Sequence, residues 1–211
     1  MELDWTDYDL VHSLVFKVRI LNENQIALHW WSGVSHPLRK ARRKLRQLVS
    51  SRILYSHRLL SHPIIQLKEP VLKWELGHPD PDFRQVSAKL KGRWTKAPRS
   101  MQTYIPTRKT IHQFGGPGQS KLPILGQQGH DLHLSQVYLW FLENRPDEAK
   151  RWMGEEVYRT ERVGEKLPDA MILDEDGNPQ LVIEFGGSYD PLRVKAFHTD
   201  CKQRNLPYEL W

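Results

Sequence analysis

Two acidic residues flank the turn of a predicted β-hairpin, and they constrain the fold of this chain more than any other feature. Asp169 begins one apolar run and Glu184 ends the next. The segment between them contains Asp176-Gly177, a pair typical of a hairpin turn. Because a hairpin places residues equidistant from its turn side by side, we expect the two carboxylates to meet. Oxygen ligands of this kind suit Mg²⁺.

Composition narrows the class of protein. A length of 211 residues predicts one or two domains, and the formal net charge is +6. We expect no membrane span, because no long uninterrupted apolar run is present. The start, with Glu2 and Asp4, is unlike a signal peptide. The single Cys201 excludes an internal disulfide and a cysteine-based zinc cluster. A bacterial cytoplasm is the simplest expected location.

Charge is divided unevenly along the chain. Residues 1–129 carry 21 Lys/Arg and 9 Asp/Glu, a net of +12, whereas residues 130–211 carry 10 and 16, a net of −6. A basic part joined to an acidic part indicates one region that binds a polyanion and another that holds metal. The alternative is that the asymmetry has no functional meaning.

The first part has the element order of a winged helix. Apolar spacing predicts helices at 5–20 and 24–31, and a third helix at 35–49. Short strands are predicted at 52–55 and 64–67, joined by a turn. Three helices followed by a hairpin form a winged helix-turn-helix, in which the third helix reads DNA. The alternative is a small helical bundle.

The third helix is strongly basic and contains no acid. Leu38, Ala41 and Leu45 lie on its apolar face. A solvated helix usually mixes charge signs, so a face of cations alone favours contact with phosphates of double-stranded DNA. The predicted DNA-binding residues are Arg39, Lys40, Arg42, Arg43 and Arg46 of this helix, with Arg58 in the turn that follows it.

The segment 68–129 is basic and repeatedly broken by proline, and we interpret it as a connector. It separates a winged-helix domain at 1–67 from a C-terminal domain at 130–211. Trp94 and Tyr104 lie among its bases, where aromatic rings either stack on nucleic-acid bases or simply pack.

The C-terminal domain is predicted to run helix, three strands, helix, strand. The first helix covers 134–144, and the first strand covers 156–159. The two hairpin strands follow, Asp190-Pro191 opens the second helix, and 207–211 forms the last strand. The whole chain is therefore expected to be α+β, with an αβββαβ module of α/β character after the winged helix.

This order, with Pro168-Asp169 on the second strand and Glu184 on the third, resembles the PD-(D/E)xK nuclease superfamily. Together with the N-terminal winged helix and the stretch His130-Asp131-Leu132-His133-Leu134, it is similar to the replication-relaxation family of bacterial and plasmid proteins. The resemblance implies that Asp169 and Glu184 are ligands of Mg²⁺ or Mn²⁺. It also implies a third acidic ligand, either Glu155 or Glu156, of which we take Glu156.

One position departs from the superfamily pattern. A lysine normally follows the glutamate by two residues, and here that position is Gly186. Some members carry this lysine on the next helix, which makes Lys195 the candidate catalytic lysine. His130 and His133 lie three residues apart and can both reach one metal, although a histidine is more often a packed or solvent-bonded residue.

The sequence thus predicts a DNA-binding protein with a metal-dependent endonuclease or nickase module, in which Asp169, Glu184 and Lys195 are catalytic. The alternative is a non-catalytic replication or mobile-element factor with a degenerate nuclease fold. A third class is a partner-binding adaptor, since the chain holds 8 Trp, one of them terminal. A homodimer is compatible with the nuclease and the DNA-binding hypotheses.

Overall fold

A computed structural model describes residues 2–118, 120–158 and 167–211. In these ranges the chain has an α+β fold with a three-stranded and a five-stranded sheet. In chain order, the elements are α1 (Trp5–Phe16), β1 (Leu21–Asn22), α2 (Glu23–Trp30), α3 (Pro37–Ser50), β2 (Leu54–Ser61), β3 (Leu72–Trp74), α4 (Phe83–Gly92), β4 (Arg99–Pro106), α5 (Arg108–Phe114), α6 (Gln128–Asn144), α7 (Pro146–Lys150), β5 (Trp152–Gly154), α8 (Glu155–Tyr158), β6 (Ala170–Leu173), β7 (Pro179–Glu184), α9 (Pro191–Gln203) and β8 (Tyr208–Leu210).

The first sheet is antiparallel with strand order β1-β4-β2 and packs against α1, α2 and α3. The apolar stripe predicted for the first helix is buried, including Leu10 and Leu14. Asn22 and Gln25 form a capping box that starts α2. Leu45 lies on the buried face of α3, as its spacing predicted.

The strand pair after α3 differs from the prediction. β2 continues through the expected turn, and residues 64–67 form no strand. Its partner is β4, which places Arg58 on a strand opposite Gln102. Pro63 has no N–H to donate and ends the first run, because a proline cannot continue a ladder of hydrogen bonds. The predicted hairpin was therefore wrong in its second strand and in the position of its turn.

The second sheet has strand order β3-β8-β7-β6-β5. Strands β5, β6 and β7 are successive antiparallel neighbours, and β8 is parallel to β7 after the crossover through α9. The elements α6, β5, β6, β7, α9 and β8 follow one another in the predicted sequence, but the short helices α7 and α8 are inserted before and after β5. Helix α6 begins earlier than expected, at Gln128, so His130 and His133 lie within it.

The first strand of this series lies earlier than predicted. Glu155–Tyr158 forms the short helix α8, and Arg159 lies outside the described residues. The strand is β5, in which the buried Trp152 pairs with Ile172. A Cβ on residue 154 would lie 2.8 Å from the carbonyl oxygen of Lys17, so only glycine allows this close approach.

The proline-rich connector contributes to both sheets. Its β3 pairs with β8 at the edge of the second sheet, and α4 packs against α9. Its β4 is the central strand of the first sheet. The segment between β2 and β4 therefore leaves one sheet, extends the other and returns.

The largest hydrophobic core spans both sheets. It joins Leu10 and Leu45 of the N-terminal helices to Phe141 of α6 and to Trp211. The hydroxyl of Ser135 on α6 donates to the carbonyl oxygen of Ile20 at 2.6 Å, which fixes α6 against the first sheet. Among the described residues, no helix is both long and apolar enough to cross a membrane.

Candidate active site and cationic surface

The hairpin brings Asp169 and Glu184 together, as the sequence predicted. The register pairs Ala170 with Ile183, so the two acids lie at adjacent ends of β6 and β7. The backbone N–H of Asp169 donates to Glu184 Oε2 at 3.3 Å, and the N–H of Phe185 donates to Asp169 Oδ2 at 2.7 Å. These two residues are hereafter the acid pair.

Glu184 is the buried member of the acid pair. Its side chain is only 7% exposed, and Tyr189 donates its hydroxyl proton to Oε1 at 2.5 Å. Burial and the negative charge of Asp169 raise the pKa of Glu184 well above its usual range. Burial and the same acids also raise the pKa of the Tyr189 hydroxyl. A proton or a cation is therefore needed to balance the acid pair.

Arg193 contacts this group from the first turn of α9. Its Nη2 donates to the Tyr189 hydroxyl at 3.1 Å, and its guanidinium carbon lies 4.0 Å from the centre of the Tyr189 ring. Arg193 itself is exposed. A chain of contacts thus runs from a solvent-facing guanidinium through a tyrosine to a buried carboxylate.

His130 joins the acid pair from α6. Its Nε2 lies 3.0 Å from Asp169 Oδ2, and its Nδ1 lies 3.4 Å from Asp131 Oδ1. Burial alone would lower the pKa of His130, but the two carboxylates outweigh burial and raise it to about 11. His130 is therefore a cation at neutral pH and neutralises part of the acidic charge.

His133 does not share this role. It is fully buried between Phe185, whose ring is stacked at 5.2 Å, and Trp94 at 5.0 Å. Its Nδ1 lies 2.6 Å from the carbonyl oxygen of Gly129. The structure therefore places one of the two histidines in contact with the acid pair and packs the other.

A cavity of about 50 Å³ adjoins the acid pair. Asp131, Glu155, Glu156 and Asp169 line it together with Arg19. Arg19 lies 3.4 Å from Asp131 Oδ2 and 3.4 Å from Glu156 Oε1. In the described part of the chain, Asp131 Oδ2 is buried without a hydrogen bond. Arg19 thus balances acids from two elements that face Asp169.

The acid pair can serve as a two-carboxylate metal site. Mg²⁺ is often held by one or two carboxylates, with waters and substrate phosphates completing its coordination. Asp169 and Glu184 each accept from a backbone N–H of the neighbouring strand end, so both carboxylates lie at the same end of the hairpin. Among residues 2–118, 120–158 and 167–211, no group of three or more His, Cys, Asp or Glu is placed to hold a metal. Glu156 therefore does not complete a three-carboxylate set within those ranges.

Gly186, at the position where the resemblance predicts a lysine, is closely packed. A Cβ on residue 186 would lie 2.9 Å from both Leu90 Cδ atoms and 3.0 Å from Leu210 Cδ1. Helix α4 of the connector therefore fills the space in which a side chain at this position would begin. Lys195 is exposed on α9, and no described contact joins it to the acid pair.

The cations of α3 form an open surface. Arg39, Arg42, Arg43 and Arg46 are exposed, and Lys40 is half-buried. Arg42 pairs with Glu23 at 2.9 Å, whereas the other three arginines have no acidic partner among the described residues. We call these five side chains the α3 cationic surface.

A groove of about 680 Å³ lies between helices α2, α3 and α6 and the first sheet. Arg42 of α3, Arg58 of β2 and Arg99 of β4 line it, together with the acids Glu23 and Glu143. Two of the predicted DNA-binding residues are thereby brought to one groove from separate elements.

Sequence reasoning missed Tyr189, Arg193 and Arg19. A signal was present for the first two, because both follow Glu184 closely and flank the predicted start of α9. Arg19 carried no such signal, since its acidic partners lie more than one hundred residues away in sequence.

No protein-family model, curated protein or solved structure matches the chain.

Proposed function

We propose that this chain binds double-stranded DNA and hydrolyses its phosphodiester bonds with Mg²⁺ or Mn²⁺. The observation that carries the proposal is the convergence of Asp169 with the buried Glu184, whose pKa is raised by burial and by its neighbour. Such a pair favours a divalent cation strongly, because the ion relieves the repulsion between two ionised groups.

The element orders support the two-part assignment. Apart from β3 and α4, which are inserted between β2 and β4, the order α1, β1, α2, α3, β2, β4 is typical of a winged helix, with the cationic helix third. Apart from the short helices α7 and α8, the order α6, β5, β6, β7, α9, β8 is similar to a PD-(D/E)xK core, with one acid just before β6 and another at the end of β7. We therefore retain a replication-relaxation-like protein as the proposed family.

Each group in the site has a chemical task under this proposal. Asp169 and Glu184 would hold the metal, which when bound activates water and stabilises charge on the phosphate. His130 orients Asp169 through the 3.0 Å contact, and Tyr189 orients Glu184. The α3 cationic surface holds the duplex by its phosphates, with Arg58 contributing from the groove.

A non-catalytic DNA-binding factor is the second candidate. The packing of Leu90 against Gly186 favours it, since no lysine side chain enters the site at that position. The ion pair between His130 and Asp169 favours it too, because it neutralises the site without a metal.

The test is cleavage of supercoiled plasmid DNA by the full chain in Mg²⁺, in Mn²⁺ and in EDTA. We expect metal-dependent nicking or cutting that is lost in Asp169→Asn and Glu184→Gln, while duplex binding in EDTA stays unchanged. Glu175→Gln, an exposed acid in the hairpin turn, is the matched control and should cut normally. Duplex binding by the wild type without cleavage in either metal would establish the non-catalytic factor instead.

A further inference from the structure

Arg193 lies in the first turn of α9 and contacts Tyr189, which is hydrogen-bonded to Glu184 of the acid pair. Among the described residues, no other lysine or arginine of α9 makes such a contact. Lys202 is paired with Asp80 at 2.5 Å, and Arg204 lies 3.4 Å from Asp200. Lys195 has no described contact with the acid pair. Arg193 differs, because its guanidinium lies on the ring and hydroxyl of Tyr189.

Arg193 is held at its backbone by the helix cap and at its guanidinium by Tyr189. Asp190 caps α9 by accepting from the backbone N–H of Arg193 at 2.8 Å, and the guanidinium stacks on Tyr189. Stacking on an aromatic ring orders the planar fork of an arginine in advance of binding. The described contacts use a single N–H of the guanidinium, which has five, so donors remain for a ligand.

Charge indicates the chemistry of that ligand. A phosphodiester that approaches Asp169 and Glu184 meets two acids. Arg193 is an exposed cation that contacts Tyr189, and Tyr189 contacts Glu184. Arginine binds phosphate through parallel N–H···O bonds, which gives both charge and geometry.

We propose that Arg193 is a phosphate-binding residue of this site and contacts the non-bridging oxygens of a phosphodiester or phosphomonoester seated beside the acid pair. The inference rests on the proposed function for the identity of the substrate. It assigns the substrate-contacting cation to Arg193 rather than to the Lys195 that the sequence favoured.

Two experiments test it, and the first needs no cleavage. Thymidine 3′,5′-bisphosphate is titrated calorimetrically into the full chain in Ca²⁺. We expect Arg193→Ala to weaken binding by about tenfold or more, the loss of one charged hydrogen-bonded pair. Arg193→Lys, which keeps the charge but not the fork, should fall between. Arg204→Ala, at the C-cap of the same helix, is the control and should bind like the wild type.

In the second experiment, plasmid cleavage by Arg193→Ala is measured with and without added guanidinium chloride at a low, non-denaturing concentration. Partial recovery of kcat is expected, which loss of a merely structural contact would not produce. Equal probe binding by wild type and Arg193→Ala, no probe binding by the wild type, or a loss seen only in Lys195→Ala would each overturn the inference.

The two proposals fail separately. A wild type that binds the bisphosphate through Arg193 but never cuts DNA removes the hydrolytic function and leaves the phosphate site. A wild type that cuts DNA with the same kcat and KM as Arg193→Ala leaves the function and removes Arg193.

Discussion

Replacing Glu184 by glutamine is expected to make the metal-free protein more stable at alkaline pH and to flatten its dependence of stability on pH. Burial and the charge of Asp169 raise the pKa of Glu184 from its ordinary value of 4.5 to about 8. The folded state therefore binds this proton more tightly than the unfolded state. Its contribution to the free energy of unfolding is complete below the unfolded pKa and is lost as the pH rises through the folded pKa.

The magnitude follows from the size of the pKa difference. A pKa difference of one corresponds to about 1.4 kcal/mol of folding free energy. The rise from 4.5 to about 8 therefore limits the contribution of Glu184 to roughly 5 kcal/mol. Within this bound, we expect roughly 2–4 kcal/mol of the wild-type unfolding free energy to disappear as the pH rises from about 4.5 to about 8. Glutamine cannot ionise, so the variant lacks this loss. Its amide meets the N–H of Asp169, which adds a pH-independent cost of about 1 kcal/mol.

The assay is urea unfolding in EDTA at several pH values across this range. The difference between wild type and Glu184→Gln removes the contributions of groups that both proteins share. The difference curve should rise in favour of the variant with increasing pH. Glu175→Gln, exposed in the hairpin turn, should follow the wild type throughout. Parallel curves for wild type and Glu184→Gln would refute the reasoning, since they would mean that burial beside Asp169 leaves the proton affinity of Glu184 unchanged.

Two further measurements concern the α3 cationic surface and Gly186. Replacing Arg39, Arg42, Arg43 and Arg46 together by glutamine should make the slope of log affinity against log salt shallower by about 3–4, because each neutralised phosphate contact contributes about 0.9. Lys150→Gln, which removes a cation already paired with Asp147, is the control, and an unchanged slope in the fourfold variant would exclude α3 from the DNA contact. Gly186→Ala should lower the free energy of unfolding by about 1–3 kcal/mol, because the added Cβ would lie 2.9 Å from Leu90, and the double variant with Leu90→Ala should lose less than the sum of the two single losses. Full stability of Gly186→Ala alone would contradict the close packing.

Local sequence patterns were sufficient to predict structure where the interacting residues are close in sequence. The Asp-Gly turn and two apolar runs predicted the meeting of Asp169 and Glu184, and the register bears this out. The helices of the first part were likewise predicted from apolar spacing, and their stripes are buried. In both cases the relevant neighbours lie within one supersecondary unit, so periodicity and turn chemistry determine them.

Non-local partners left no comparable signal. β2 pairs with β4 although a long segment separates them, and sequence reasoning chose the nearer run at 64–67. The strand expected at 156–159 was misplaced because an apolar residue beside two charged ones does not fix a register, whereas Trp152 gains its place from burial against Tyr138 and Phe141. The sequence showed that Gly186 departs from the expected lysine. It could not show the close packing of Leu90, which lies far away in the chain.

The segment that leaves the first sheet after β2 and returns as β4 has a consequence for how the molecule can be divided. Strand β3 belongs to the second sheet, whereas β4 is the central strand of the first. A chain that ended near residue 67 would therefore lose the central strand of the first sheet. A chain begun near residue 130 loses an edge strand and the covering helix α4 of the second. The segment from β3 to β4 contributes strands to both sheets, so neither fragment retains an intact sheet, and an exchange of either half between proteins has to include this segment.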